Sequence, residues 1–382
     1  MSDRKNIYPI DSKLLERVDT YLDTKLQELV DLTVKVCSIP SATGMEEKKA
    51  DFILELLNKI TPENVWKDEV GNVLCHIKGE IEGDVSIYTA HIDTVFGDVD
   101  EIEPVIEGNR IYAPAIGDNS VNVAALILSA KMFNELGIIP KRDLLLAFTV
   151  GEEGLGNLKG IRQVMDDWLD RTHEVIALDG GFTSIVDTAV GSKRYLIKAY
   201  TEGGHSWGAF GNSSAIAYAS KVINALYDIK PPKDPKTTYN AGIIKGGRAV
   251  NVIAQDVEFI MDFRSVDRDS LSAIEEQFFT ILEAYKGDEV ELKVELLGER
   301  PCGEDVDRSD ILRRIKKVRD YLGLDTTMRS GSTDANIPLS LGIPAITFGV
   351  YIGAKAHTLE EYIEIDSLET GMRHFLYFML TA

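Results

Sequence analysis

Apolar residues recur every three to four positions from about 12 to 36 and again from about 45 to 60, a spacing that predicts two amphipathic helices. The segment "CSIPSATG" between them is a Pro/Gly/Ser break. The pattern then shortens. "NVLCHIK" and "VSIYTAHID" are brief apolar runs of the kind that form strands covered on both faces. "SVNVAALILSAKMFNELG" predicts a helix that stops at Gly137. "DLLLAFTV" and "HEVIALD" follow as strands, with "LKGIRQVMDDWLD" helical between them. Strands alternating with helices imply an α/β fold built on a mainly parallel sheet with helices on both faces.

Near residue 192 the rhythm changes. A strand at about 193–202, a helix at 213–228, the strands "TTYNAGIIKGG" and "VEFIMDFRSV", a helix at 268–286 and the strand "VELKVELLG" follow in turn. That order, βαβ-βαβ, is the ferredoxin-like split unit. After Pro301 the α/β pattern resumes with helix "DILRRIKKVRDYLG", strand "IPAITFGV" and a last helix near 367–380. The expected organisation is a large α/β domain in two parts, 1–191 and 304–382, with a ferredoxin-like α+β domain, 192–303, inserted between them. A chain of 382 residues is long enough for more than one core.

Composition narrows the partners. A hydrophobic content of 44% and a charged content of 27% are those of a globular protein. The formal net charge of −21 argues against nucleic acid, because phosphate binding needs basic patches. No apolar run is long enough to span a bilayer, so no membrane partner is expected. The opening "MSDRKNIYPIDSKLLERVD" has no apolar signal region, so a cytoplasmic location is expected. Cys37, Cys75 and Cys302 are scattered and odd in number, which gives neither a disulfide framework nor a zinc-finger spacing.

The chemistry gathers at strand ends. "YTAHIDT" closes an apolar strand with His91 and Asp93, which share a face because strand residues two apart point the same way. "DLLLAFTVGEEG" runs into Glu152 and Glu153, "HEVIALDGG" ends at Asp179, and "IPAITFGVYIGAKAHT" leads to His357. Asp118, in "APAIGDNS", precedes the apolar helix. Taken singly, Asp118 reads equally well as a helix N-cap, Asp179 as a turn residue and the glutamates as solvated surface. Their common location is the argument, since ligands bind at the carboxyl ends of open α/β sheets. Histidines and carboxylates without cysteine suit zinc, cobalt or manganese. Five ligands exceed one catalytic zinc but suit two metals sharing a carboxylate, about 3.5–4 Å apart. One of the adjacent glutamates can then bind metal while the other takes a proton from water.

In combination, "HIDT" (91–94), the Asp118 loop, "EEG" (152–154), Asp179, "GGHS" (203–206), "GSTDA" (331–335) and His357 resemble the M20 family of dizinc peptidases and amidohydrolases over nearly the whole chain. The resemblance implies one metal held by His91, Asp118 and Asp179, and a second by Asp118, Glu153 and His357. It makes Glu152 the general base and Asp93 the carboxylate that orients His91. It makes His205 a lid histidine that hydrogen-bonds the scissile carbonyl, often across a homodimer, and the inserted domain a lid and dimerisation domain. Asn251 in "AVNVIAQD" and Arg300 in "GERP" match substrate-contacting positions. The chain departs from the family where Asp-Asp/Met-Lys-x-Gly is common after the bridging aspartate. Here it reads "DNSVN", with no lysine and with Asn122 at the usual glycine. Trp207 also stands where the family commonly has a small residue.

The expected function is metal-dependent hydrolysis of an amide bond in a small peptide, of carboxypeptidase, aminopeptidase or dipeptidase type. A metal-activated water attacks, and the cofactors are two divalent ions, zinc first, with cobalt or manganese as substitutes. Deacylation or desuccinylation of an N-acyl amino acid is the alternative within the family. A non-catalytic binding module on the same scaffold would be expected to have lost ligands, and every matched metal position is present.

Overall fold

The computed structural model describes residues 11–61, 63–99 and 101–382. The first ten residues of the opening stretch weighed above as a signal lie outside them. The chain divides into two compact units, one of residues up to Ala189 together with Glu304–Ala382, the other Val190–Gly303.

In the larger unit the central strands are apolar on both faces because helices cover both. Leu144, Leu145, Leu146, Ala147 and Phe148 are all buried in the strand Arg142–Thr149. The 8-stranded sheet runs Val65–Lys67, Val73–Ile77, Arg142–Thr149, Ile81–His91, Thr172–Ala177, Ala345–Thr347, Ile185–Ala189 and Met328–Gly331. Its middle is parallel: Arg142–Thr149, Ile81–His91, Thr172–Ala177 and Ala345–Thr347 pair in sequence, all in one direction. Val73–Ile77 and Val65–Lys67 add on antiparallel at one edge. The helix Val121–Leu136 is apolar nearly all round, which suits a helix buried in the middle of a layer. Ser12–Cys37 and Glu47–Ile60 are amphipathic and turn one face inward.

A second small sheet has no counterpart in the sequence pattern. Gly353–Ala354, Tyr362–Glu364, Arg110–Tyr112 and Val105–Glu107 form an antiparallel set whose members are two or three residues long, too short to carry a period. It matters because the loop between its first two strands carries His357.

The smaller unit is a four-stranded antiparallel sheet of order Thr237–Gly246, Asp256–Ser265, Gly191–Tyr200 and Glu291–Arg300. The helices Ala215–Tyr227 and Arg268–Ala284 supply Tyr218, Val222, Leu226, Leu271, Ile274 and Phe278 to its core. Chain order and strand order together are those of the ferredoxin-like unit. The central strand Asp256–Ser265 alternates buried and half-buried along its length, so one face carries the core. Among the described residues no helix is long and apolar enough to cross a membrane, and all three cysteines are free and buried.

One buried ion pair ties the sheet to its outer helices. Glu174 accepts the Ser86 hydroxyl at 3.1 Å and pairs with the Arg314 guanidinium, which also reaches Asp310 at 2.7 Å and Thr381 at 3.2 Å. Arg314→Met strands a buried carboxylate and should cost about 3–5 kcal/mol. Adding Glu174→Gln removes the stranded charge and should recover most of that loss. Urea unfolding of both variants at neutral pH checks this, and a single variant within 1 kcal/mol of wild type, on the order of a surface pair, contradicts it.

Candidate metal centre

The four central parallel strands end on one rim, and each delivers residues able to carry charge. Ile81–His91 closes with His91 and continues to Asp93. Arg142–Thr149 leads into the turn with Glu152 and Glu153, Thr172–Ala177 into Asp179, and Ala345–Thr347 into the stretch that reaches His357. Asp118 comes from the turn Ile116–Ser120, just before the buried helix.

Asp118 is where these meet. Its Oδ1 lies 3.0 Å from His91 Nε2 and its Oδ2 lies 3.0 Å from His357 Nε2. His357 Nε2 is also 2.9 Å from Glu153 Oε1. His91, Asp118 and Glu153 each offer a donor atom within 4.8 Å of the others. Asp179 is close enough to feel the charges of Asp118, His91 and Glu153. His91 is 2% exposed whereas the His357 side chain is 52% exposed, so the centre is sealed on one side and open on the other.

Several of the candidate ligands sit on turns held by hydrogen bonds from neighbouring segments. His91 Nδ1 lies 3.1 Å from the carbonyl oxygen of Asp93, which leaves Nε2 facing Asp118. The family resemblance implies that the Asp93 carboxylate orients this ring, and the carboxylate lies 3.7 Å from Nδ1, within ion-pair range. Its oxygens accept the backbone N–H groups of Glu152 at 2.9 Å and Glu153 at 2.8 Å, and the Thr43 hydroxyl at 2.8 Å. A turn leaving a strand has N–H groups with no ladder partner, and a buried carboxylate beside it satisfies them. Asn72 and Glu46 complete the clamp by accepting from Val150 and Gly151.

Glu361 has no counterpart among the sequence candidates. It accepts the N–H groups of Ala115, Gly117 and Asp118 at 3.0, 2.8 and 2.7 Å, and so sets the turn that presents Asp118. Gly117 is required there, because a Cβ would stand 2.7 Å from the Tyr351 hydroxyl and 2.8 Å from Glu361 Oε1. The only signal was a carboxylate four residues past His357. By pattern it is indistinguishable from Glu360, which pairs with Lys355 at the surface. Asp334, of the "GSTDA" motif, is buried beside this rim and accepts the Thr149 hydroxyl at 2.6 Å.

The electrostatics follow from burial opposed by partners. Burial alone would lower the His91 pKa, yet Asp118 and Asp93 carry it well above the usual imidazole range. Asp118 and then Glu153 hold His357 up at about 11. Burial pushes Asp118 up, but the two imidazoles outweigh it and leave the carboxyl well below its ordinary value. For Asp179, burial and then the Asp118 charge outweigh the opposing His91 and raise it to about 7. Burial likewise raises Glu361 to about 7. The centre attracts positive charge.

A divalent metal fits these residues. His91 Nε2 and Asp118 Oδ1 are buried and face each other at 3.0 Å, yet neither makes a hydrogen bond of acceptable geometry. Buried polar atoms left so are rare, and a shared cation satisfies both. Two imidazoles with carboxylates and no thiolate are the donor set of zinc, cobalt or manganese.

The remaining candidates belong to the smaller unit. His205 lies in a two-residue strand paired with Val252–Ile253, which brings it beside Asn251, whose carbonyl accepts the Ser206 N–H at 2.9 Å. The His205 Nδ1 accepts from the backbone N–H groups of Trp207 and Gly208 at 3.2 and 3.3 Å. Its proton therefore sits on Nε2, making that atom a donor. Trp207 and Phe210, on the same loop, are 89% and 91% exposed. Arg300 is buried and is not brought to this pair. It lies opposite Ser192 at the start of Gly191–Tyr200, whereas His205 follows the other end of that strand.

Residues 87–381 match the sequence profile described as peptidase family M20/M25/M40. The uncharacterized Bacillus subtilis protein YqjE is 26% identical over 322 residues, which cover 78% of this chain and 81% of that protein. A crystal structure of a tripeptidase from Staphylococcus aureus superposes with a TM-score of 0.76 at 24% identity, covering 93% of this chain and 98% of that one. Bacillus subtilis YXEP, described as a dinuclear metal binding peptidase from the M20 family, superposes with a TM-score of 0.66 at 16% identity, covering 94% and 98%. The family match spans most of the chain, and the protein is a hydrolytic, metal-binding member of peptidase family M20/M25/M40.

Proposed function

We propose that this chain hydrolyses an amide bond of a small peptide, with Glu152 as general base at a two-metal centre. The observation that carries the reading is the division of the glutamate pair. Glu153 is committed to His357 at 2.9 Å, while Glu152, fixed on the same turn by Asp93, acts on the charge of His91. His91, Asp118 and Asp179 would hold one cation, and Asp118, Glu153 and His357 the other, with zinc first and cobalt or manganese as substitutes. Such a pair, when bound, polarises the scissile carbonyl and makes water more acidic. Glu152 takes the proton from the attacking water and later delivers it to the leaving amine nitrogen. His205, protonated at Nε2, donates to the carbonyl oxygen as charge develops on it. Asn251 and Arg300 contact substrate.

The protein acts as a cytoplasmic homodimer in this reading, and His205 serves the partner subunit's centre. An exposed edge strand such as Thr237–Gly246, with Ile243 and Ile244 outward, suits pairing across a two-fold axis.

Glu152→Gln should keep its metal and lose turnover by about 10²–10⁴-fold, because an amide cannot accept the proton. Glu153→Gln should lose metal instead. Metal analysis alongside assays on tripeptides, dipeptides and N-acyl amino acids reads both. Metal loss in Glu152→Gln with retention in Glu153→Gln reverses the assignment, and turnover of N-acyl amino acids alone replaces the peptide.

Mixing inactive His205→Ala and Glu152→Ala proteins under conditions of subunit exchange should restore activity. A mixed dimer has one centre with both groups intact. Continued inactivity despite verified exchange places His205 in its own subunit's centre.

A further inference from the structure

The turn after Asp118 is where this chain departs from its family, and the departure is structurally occupied. Asn119 and Asn122 are 2% and 0% exposed. Asn119 Nδ2 donates to the Leu178 carbonyl at 2.8 Å, and its Oδ1 accepts from Asn122 Nδ2 at 2.7 Å. The same Asn122 amide group donates to the Gly180 carbonyl at 3.1 Å. Asn122 Oδ1 accepts the Val350 N–H at 3.0 Å. Leu178 and Gly180 are the two neighbours of Asp179. The amide pair therefore grips the backbone on both sides of that residue from the turn that carries Asp118.

Asn122 also stands where two strand-end turns touch. Gly349 N donates to Gly181 O at 3.2 Å, and Phe182 N to Tyr351 O at 3.1 Å. The backbones are so close that a Cβ on Gly349 would lie 1.6 Å from the Gly180 oxygen and 2.7 Å from Asn122 Oδ1. A glycine at 122 would leave the buried Val350 N–H and the half-buried Gly180 carbonyl without these partners. With Ser120 at the common lysine position, the asparagine hydrogen bonds are what this turn offers to hold the Asp179 backbone.

We propose that Asn122, acting with Asn119, is a positioning residue that holds Asp179 in register with Asp118, and so sets the affinity of the metal bound by His91, Asp118 and Asp179. The inference rests on the two-metal reading above. The hold of Asn122 on the second metal's other ligands is indirect, since Asn122 does not bond the Glu153 turn, and His357 lies beyond Val350, on the far side of the Gly353–Ala354 pairing with Tyr362–Glu364.

The test is competition of chelator-stripped, full-length protein against a chromophoric chelator during Zn²⁺ titration, which resolves two affinities. Asp179→Asn identifies the one that belongs to Asp179. Asn122→Gly, the residue common in the family, should weaken that affinity by about 10–100-fold, the usual effect of losing a group that orients a ligand. The other affinity should stay within about threefold, since its ligands keep their supports. Asn119→Ser removes the bond to Leu178 while leaving those of Asn122 to Gly180 and Val350, so it should give a smaller loss in the same site. It also serves if Asn122→Gly does not fold. Unchanged affinities, or equal weakening of both, overturn the proposal and leave the two-metal reading standing. A wild-type chain that binds no zinc overturns that reading, and this inference with it.

Discussion

The structure depends on a collision of like charges. Asp118 uses one carboxylate oxygen towards His91 and the other towards His357, with Glu153 and Asp179 close by on a rim where burial weakens screening. Carboxylates so placed must share a cation, bind protons or move apart. The carboxylates hold His91 and His357 above the usual imidazole range, so these rings keep their protons, and Asp179 is itself raised to about 7. Metal ligands must shed those protons, so binding a cation and titrating the centre are one process.

Holding such groups together takes a scaffold that does not yield. The parallel strands deliver the residues to one rim, but strands only set approximate positions. Final placement comes from side chains that hydrogen-bond the backbone of a neighbouring turn. Asp93, on the His91 strand, takes the N–H groups of the glutamate turn. Glu361, from the small antiparallel sheet, takes three from the Asp118 turn. The asparagine pair donates to the Leu178 and Gly180 carbonyls on either side of Asp179. The turns that carry Glu153, Asp118 and Asp179 are thus fixed through backbone by a neighbour's side chain, and the surrounding apolar strands keep water from loosening those bonds.

Much of this was legible in the residues. Leu144–Phe148 is an unbroken apolar run and the stretches leading to His91 and Asp179 are largely apolar, so their strand character and the location of the following polar residues could be read from hydropathy alone. The helices were legible too, because amphipathic spacing and stop signals such as Gly137 are local. The sheet of two- and three-residue strands that carries the His357 loop was not, since such elements exist through tertiary pairing rather than through a local pattern. Glu361 was hidden for the same reason, as its role depends on backbone 243–246 positions away in sequence. Asn122 could be seen as a departure but not understood, because its three partners come from three separate turns.

The most direct measurement is anomalous diffraction at the zinc edge from crystals of the zinc-loaded protein. The expected result is two peaks per chain on either side of the Asp118 carboxylate, one against His91 and Asp179 and the other against Glu153 and His357. A single peak, or peaks away from Asp118, would contradict a centre organised around that bridging carboxylate.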